Sequence, residues 1–168
     1  PELHVTFDRY FQRFLDRRDG RMDWLDYTPY ENRVIGSFVL LGQRDRAHAA
    51  LDWFMAQRRP AAWNHWAEVV FRDERLPRTI GDMPHTWCGS DFIRSVRMFF
   101  AYEREHDTAL VVGAGLADAW VLDPEGVDVS RLRGRPRGVG DAWRRGRGPP
   151  WRDHREIAPC PAHPVGGR

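Results

Sequence analysis

The stretch "PYENRVIGSFVLLGQRDRAHAALDWF", residues 29–54, decides the fold class. Val34, Ile35, Phe38, Val39 and Leu41 recur at helical spacing up to Gly42, and Ala47, Ala50, Leu51, Phe54 and Met55 resume the pattern before Pro60. Glycine stops helices well because it enters the left-handed conformation without steric cost. Only a few residues separate the two runs, so they predict an antiparallel helical hairpin. Upstream, Phe7, Tyr10, Phe11, Phe14 and Leu15 mark another amphipathic helix that stops at Asp19-Gly20. Downstream, "WNHWAEVVFRDERLP" reads as a loop entering a short helix. Ser90 then reads as an N-cap, with Asp91 in the first turn of a helix whose buried stripe is Phe92, Ile93, Val96, Phe99 and Phe100.

Near residue 108 the pattern changes to short runs of β type, "ALVV", "AWVL" and "VDV", separated by Gly, Pro and Asp. The run "VVGAGLADAW" has a dinucleotide-binding look, but Asp118 occupies the third glycine position and no βαβ unit surrounds it, so a strand–turn–strand is expected. From Arg131 onward thirteen of 38 residues are Gly or Pro and ten are Arg. Such a segment cannot bury enough apolar surface to offset its ordering entropy, so disorder is expected. Its Arg/Gly/Pro/Ala bias without Lys is also what a GC-rich gene yields when read out of frame.

The formal net charge of +2 conceals opposite halves, since residues 131–168 hold ten Arg against three acids and residues 1–130 hold sixteen Arg against twenty-one. An acidic body argues against nucleic acid as the main partner and leaves only the tail for it. No run approaches the length and apolarity of a membrane span, and no signal-peptide pattern is visible. The chain opens on Pro1 rather than Met and is read as a piece of a longer one, with its location left open. Cys88 and Cys160 lie 72 residues apart, which supports neither a disulfide framework nor a zinc site. No cluster has metal-ligand spacing along the chain, so neither metal nor cofactor is expected.

The loops carry unusual cargo, because loops normally collect Gly, Ser, Asn and Pro. Trp24, Tyr27, Tyr30 and Glu31 sit in one, Trp63, Asn64, His65, Trp66 and Glu68 in the next, and Asp82, His85, Trp87 and Asp91 in the third. If hairpins stack side by side, these loops share one rim. Indole rings with acids and a histidine between them suit a sugar, whose C–H faces cover flat rings while its hydroxyls reach charged groups. Glu68, flanked by Trp63 and Trp66, is the candidate catalytic base and Asp82 the candidate acid or hydroxyl ligand. Trp63, Trp66, His85, Trp87 and Asp91 are candidate substrate-binding residues. Each has a plainer role as well: Glu68 on a polar helix face, Asp82 in Gly-Asp-x-Pro turn chemistry, His85 locking a loop, Asp91 facing a helix dipole, and the tryptophans in packing.

"PYENRVIGSFVLLGQRDRAHAALDWF", "WNHWAEVVF", "IGDMPHTWCGSDFIRS" (residues 80–95) and "ALVVGAGLADAWV" together resemble the C-terminal part of bacterial six-hairpin, (α/α)6-toroid glycosidase-like proteins. That group includes rhamnosidase-like and glycogen-debranching-like enzymes. "PHTW" is similar to a His-x-Trp element at the start of a late toroid helix, and "WAEV" is similar to a segment bearing a loop acid. The resemblance covers about residues 25–130. It implies a mainly α fold, an arc of antiparallel helical hairpins over 1–107 and the start of a β-sandwich-like segment over 108–130, with the disordered basic tail over 131–168 left outside it. It also implies an inverting glycoside hydrolase acting on an oligosaccharide or glycoside, with carboxylates about 6.5–9.5 Å apart. A closed ring needs twelve helices, so this chain lacks upstream hairpins and is expected to be inactive alone. A non-catalytic carbohydrate-binding or structural module is the other reading, and a nucleic-acid binder working through the tail the last.

Overall fold

The computed structural model describes residues 2–75 and 78–123. The chain divides into two compact units between Phe99 and Phe100. Both the "VDV" run and the Arg-rich tail over 131–168 lie outside the described residues.

The first unit is mainly helical. Helix α1 (Glu2–Arg18) is followed by the two-residue strand β1 (Asp26–Tyr27), a 3-10 turn (Pro29–Asn32), α2 (Arg33–Leu40) and α3 (Arg44–Ala56). A second 3-10 turn (Ala61–Trp63), strand β2 (Val70–Phe71) and helix α4 (Thr86–Phe100) complete it. The expected hairpin is present as α2 and α3, turning at Gly42 with φ of 69°. Helix α1 closes at Gly20, φ 73°, where the chain also needs a left-handed residue.

The core of this unit is aromatic. Phe38 of α2 receives Phe7 and Phe11 of α1 edge-on at 5.7 and 5.5 Å. Phe14 of α1 meets Trp53 and Phe54 of α3 at 5.7 and 6.2 Å. Phe14, Phe38, Phe54 and Ile35 are fully buried, so the stripes read from the sequence are the faces that pack. Helices α2 and α4 approach where Gly36 has no side chain: a Cβ there would lie 3.2 Å from Ser95 Cα. The Ser95 hydroxyl donates to the Asn32 carbonyl at 2.9 Å across the same seam.

Several local expectations are corrected. No short helix follows "WNHW"; the segment makes the 3-10 turn and then β2, which pairs antiparallel with β1 through Asp26↔Phe71 and Tyr27↔Val70. The β-branched pair Val69 and Val70 suits that extended backbone. Helix α4 starts at Thr86, four residues before the expected cap, directly after the Pro84-His85 pair. Ser90 is therefore interior and its hydroxyl donates back to the Trp87 carbonyl at 2.9 Å. The earlier start moves Asp91 out of the first turn; the buried face carries Cys88, Gly89, Ser95 and Phe99, so that Phe99 of the expected stripe is buried and Ile93 is exposed.

The second unit begins earlier than residue 108. Strand β3 (Ala101–Arg104) pairs antiparallel with β4 (Ala109–Val112), Ala101 facing Val112 and Arg104 facing Ala109. Arg104 spans the connecting turn and forks onto Asp107 at 2.6 and 3.1 Å, holding that carboxyl at about 2. "ALVV" is thus a strand as read, but "AWVL" is not: the chain leaves β4 at Gly113, φ 76°, and forms the short helix α5 (Asp118–Leu122). Among the described residues the sheets are antiparallel, in keeping with setting aside the dinucleotide reading of "VVGAGLADAW".

Candidate functional site

Two loops of the first unit are zipped together by main-chain bonds. The Glu68 N–H donates to the Asp82 carbonyl at 3.1 Å, the Val69 N–H to Ile80 at 3.1 Å, and the His85 N–H to Trp66 at 3.0 Å. This ladder carries Glu68, Asp82 and His85 to one place, where a ligand atom of each lies within 4.8 Å of the others. Gly81 makes the approach feasible. Its φ is +60°, and a Cβ on it would meet the Glu68 carboxylate and lie 2.7 Å from Glu68 Cβ.

Gly81→Ala therefore faces two penalties, a left-handed backbone and a clash with the acid it serves. The expected result is a loss of about 1–2 kcal/mol in denaturant unfolding, together with displacement of Glu68 from Asp82 seen in the crystal structure of the variant. A variant with unchanged stability and an undisturbed Glu68 would refute this role.

His85 is buried, and its Nε2 lies 2.6 Å from the Tyr30 hydroxyl. Its Nδ1 faces Asp82 Oδ2 at 3.7 Å, beyond hydrogen-bond length. Desolvation first, and then the neighbouring Cys88 and Glu68, raise the Tyr30 phenol above its ordinary pKa, so it stays protonated at neutral pH. Trp87 lies beside the pair, 6.0 Å from the Tyr30 ring and 6.4 Å from His85, with two thirds of its surface in solvent. Asp91, one turn further along α4, pairs with Arg33 at 2.6 and 3.1 Å. It is held by a cation from the neighbouring helix, a different role from the dipole contact expected of it.

Not all expected residues reach this place as read. Trp66 is 2% exposed and its indole N–H donates to the Phe54 carbonyl at 3.0 Å. Its ring is part of the core, packed on Phe92 at 5.0 Å, and has no face to offer a ligand. Trp63 is exposed on the 3-10 turn Ala61–Trp63. One oxygen of Glu68 and one of Asp82 lie within 4.8 Å of each other, and Asp82 has 84% of its side chain in solvent. Two carboxylate oxygens this close can reach one bound group together.

The sequence placed Tyr30 and His65 in the rim loops without giving either a role, and did not single out Gly81. Tyr30 is set by the 3-10 turn ahead of α2, and only the fold shows that its hydroxyl meets a histidine 55 residues away. His65 packs on α4, its Nε2 2.7 Å from where a Cβ of Gly89 would stand. The Gly-Asp-x-Pro run hinted at Gly81 as a turn residue, without indicating that Glu68 fills the space a side chain would need. Cys88 is buried below the cluster, and desolvation, helped by Asp91 and Glu68, pushes its thiol up to about 12, which removes it as a nucleophile.

Comparison of the chain with protein-family models, curated proteins and solved structures finds no match. No helix among the described residues is long and apolar enough to cross a membrane.

Proposed function

We propose that this chain is the C-terminal arc of a six-hairpin, (α/α)6-toroid glycosidase-like protein and that the Trp87 rim binds a saccharide. The observation that carries the reading is the exposed Trp87 indole standing next to three converging polar side chains, Glu68, Asp82 and His85. An indole face desolvates the C–H side of a pyranose, and carboxylates accept from its hydroxyls. Tyr30 forms the second wall and fixes His85 between the ring and the acids. Glu68 and Asp82 act here as hydroxyl ligands; acid–base turnover belongs to the parent protein with its full ring of hairpins.

Isothermal titration of the 168-residue chain with a panel of neutral oligosaccharides tests this. Binding is expected without hydrolysis, and Trp87→Ala is expected to weaken it at least tenfold, because the stacking platform is removed while the exposed position leaves the fold intact. Glu68→Gln should weaken it less. A panel without binders, or a Trp87→Ala chain that binds as well as the original, defeats the proposal.

A further inference from the structure

The cluster has a feature that a hydroxyl-binding site does not require. His85 is buried with its Nε2 2.6 Å from the Tyr30 hydroxyl, which leaves Nδ1 facing Asp82 Oδ2 at 3.7 Å, beyond hydrogen-bond length. In the tautomer whose Nε2–H donates to the Tyr30 oxygen, Nδ1 presents a lone pair toward the Asp82 carboxylate. A cation between the ring and the acids turns that opposition into attraction.

We propose that Glu68, Asp82 and His85 form a binding site for a divalent transition-metal ion of the zinc type, with Tyr30 as the residue that positions the imidazole. Ligands about 2.0–2.2 Å from one ion stand about 3.4–3.7 Å apart at tetrahedral to trigonal angles, and Nδ1 and Asp82 Oδ2 are 3.7 Å apart. A ligand atom of Glu68 lies within 4.8 Å of the other two, and the Asp82 side chain, 84% in solvent, is free to adjust to a shared ion. One imidazole with two carboxylates favours zinc over calcium or magnesium, which take oxygen ligands throughout. Three protein ligands leave a position open to water or a hydroxyl. The Tyr30 contact is the outer partner that metal-bound histidines need to fix tautomer and ring angle. The main-chain ladder between residues 66–69 and 80–85 supplies the rigidity.

The proposal stands on geometry and does not rest on saccharide binding. Zinc chloride alone is titrated into the full chain in the presence of a weak competing chelator. The native chain is expected to take up an ion with micromolar or tighter affinity. Asp82→Asn should weaken that event at least tenfold, and Tyr30→Phe about tenfold, the scale of outer-partner losses. Circular-dichroism melts of the metal-free variants report whether either has lost its fold, and Asp82, being exposed, is not expected to. Cobalt(II) in place of zinc should give visible absorption bands that Asp82→Asn abolishes. Failure of the native chain to bind zinc, or binding that Asp82→Asn and His85→Gln both leave unchanged, overturns the site. Saccharide titrations run with and without a chelator separate the two readings: sugar binding in a chain that takes no zinc removes the metal and keeps the saccharide site, and zinc binding without any sugar does the reverse.

Discussion

Phe54→Ala is expected to cost about 3–5 kcal/mol and to bring the helical unit close to the limit of cooperative folding. Phe54 is fully buried and touches the rings of Phe14, Tyr27 and Trp53 at 6.2, 5.8 and 5.1 Å. Those three come from α1, β1 and α3, so truncation opens a cavity where separate segments meet. Rigid elements collapse poorly into such a space, which puts the cost at the upper end for a large-to-small change. Urea unfolding followed by tryptophan fluorescence checks it, with Phe54→Leu expected to lose under about 1.5 kcal/mol and to keep a sharp transition. A Phe54→Ala chain within about 1 kcal/mol of the original would mean that this residue is not the keystone of the core.

Glu31→Ala is expected to cost about 3 kcal/mol, chiefly through the cation it abandons. Arg17 and Glu31 form a two-pronged pair at 3.0 and 2.6 Å with side-chain exposures of 10% and 24%. Tyr10 adds a third bond to the same carboxylate at 2.5 Å. Desolvation, the largest single influence, works against the charge of Arg17, but the hydrogen bond and charge of Glu31 together with Tyr10 and Tyr27 outweigh it, and the guanidinium pKa rises above its ordinary value. The Arg17 guanidinium also covers the rings of Tyr27 and Trp53 at 5.1 and 4.8 Å. Removing the acid leaves a charge buried among aromatics with nowhere to turn. The double variant Arg17→Met, Glu31→Leu should recover most of the loss, because replacing both members of such a pair by apolar groups is often close to neutral. Thermal melts of the two single variants and the double variant give the coupling directly, and additive losses would contradict it.

Much of the helical architecture was legible, for a physical reason. Stripes such as Phe7, Phe11 and Phe14 or Ile35, Phe38 and Val39 carry their burial in their spacing, and Gly20 and Gly42 mark ends that only a left-handed residue makes cheaply. The errors fall where a distant partner decides. Val70 and Phe71 become a strand because Asp26 and Tyr27 are there to pair with them, and Ala101–Arg104 leaves the helical pattern because Ala109–Val112 offers an edge. Four residues cannot announce such a partner. Ser90 was a sound cap chemically, but α4 starts at Thr86, and of the expected stripe only Phe99 is fully buried. At the site, residue type was informative and position was not. Glu68, Asp82, His85 and Trp87 do lie together, while Trp66, two residues from Glu68, is buried with its N–H on a core carbonyl.

The ladder that joins residues 66–69 to 80–85 is built from peptide groups, so the spacing of the converging side chains does not depend on which side chains they are. Glu68 and Asp82 can in principle be exchanged for histidine or cysteine without disturbing the frame that holds them. The same scaffold is therefore a ready test bed for ion preference, in which donor softness is varied one position at a time while the cage that measures it stays constant.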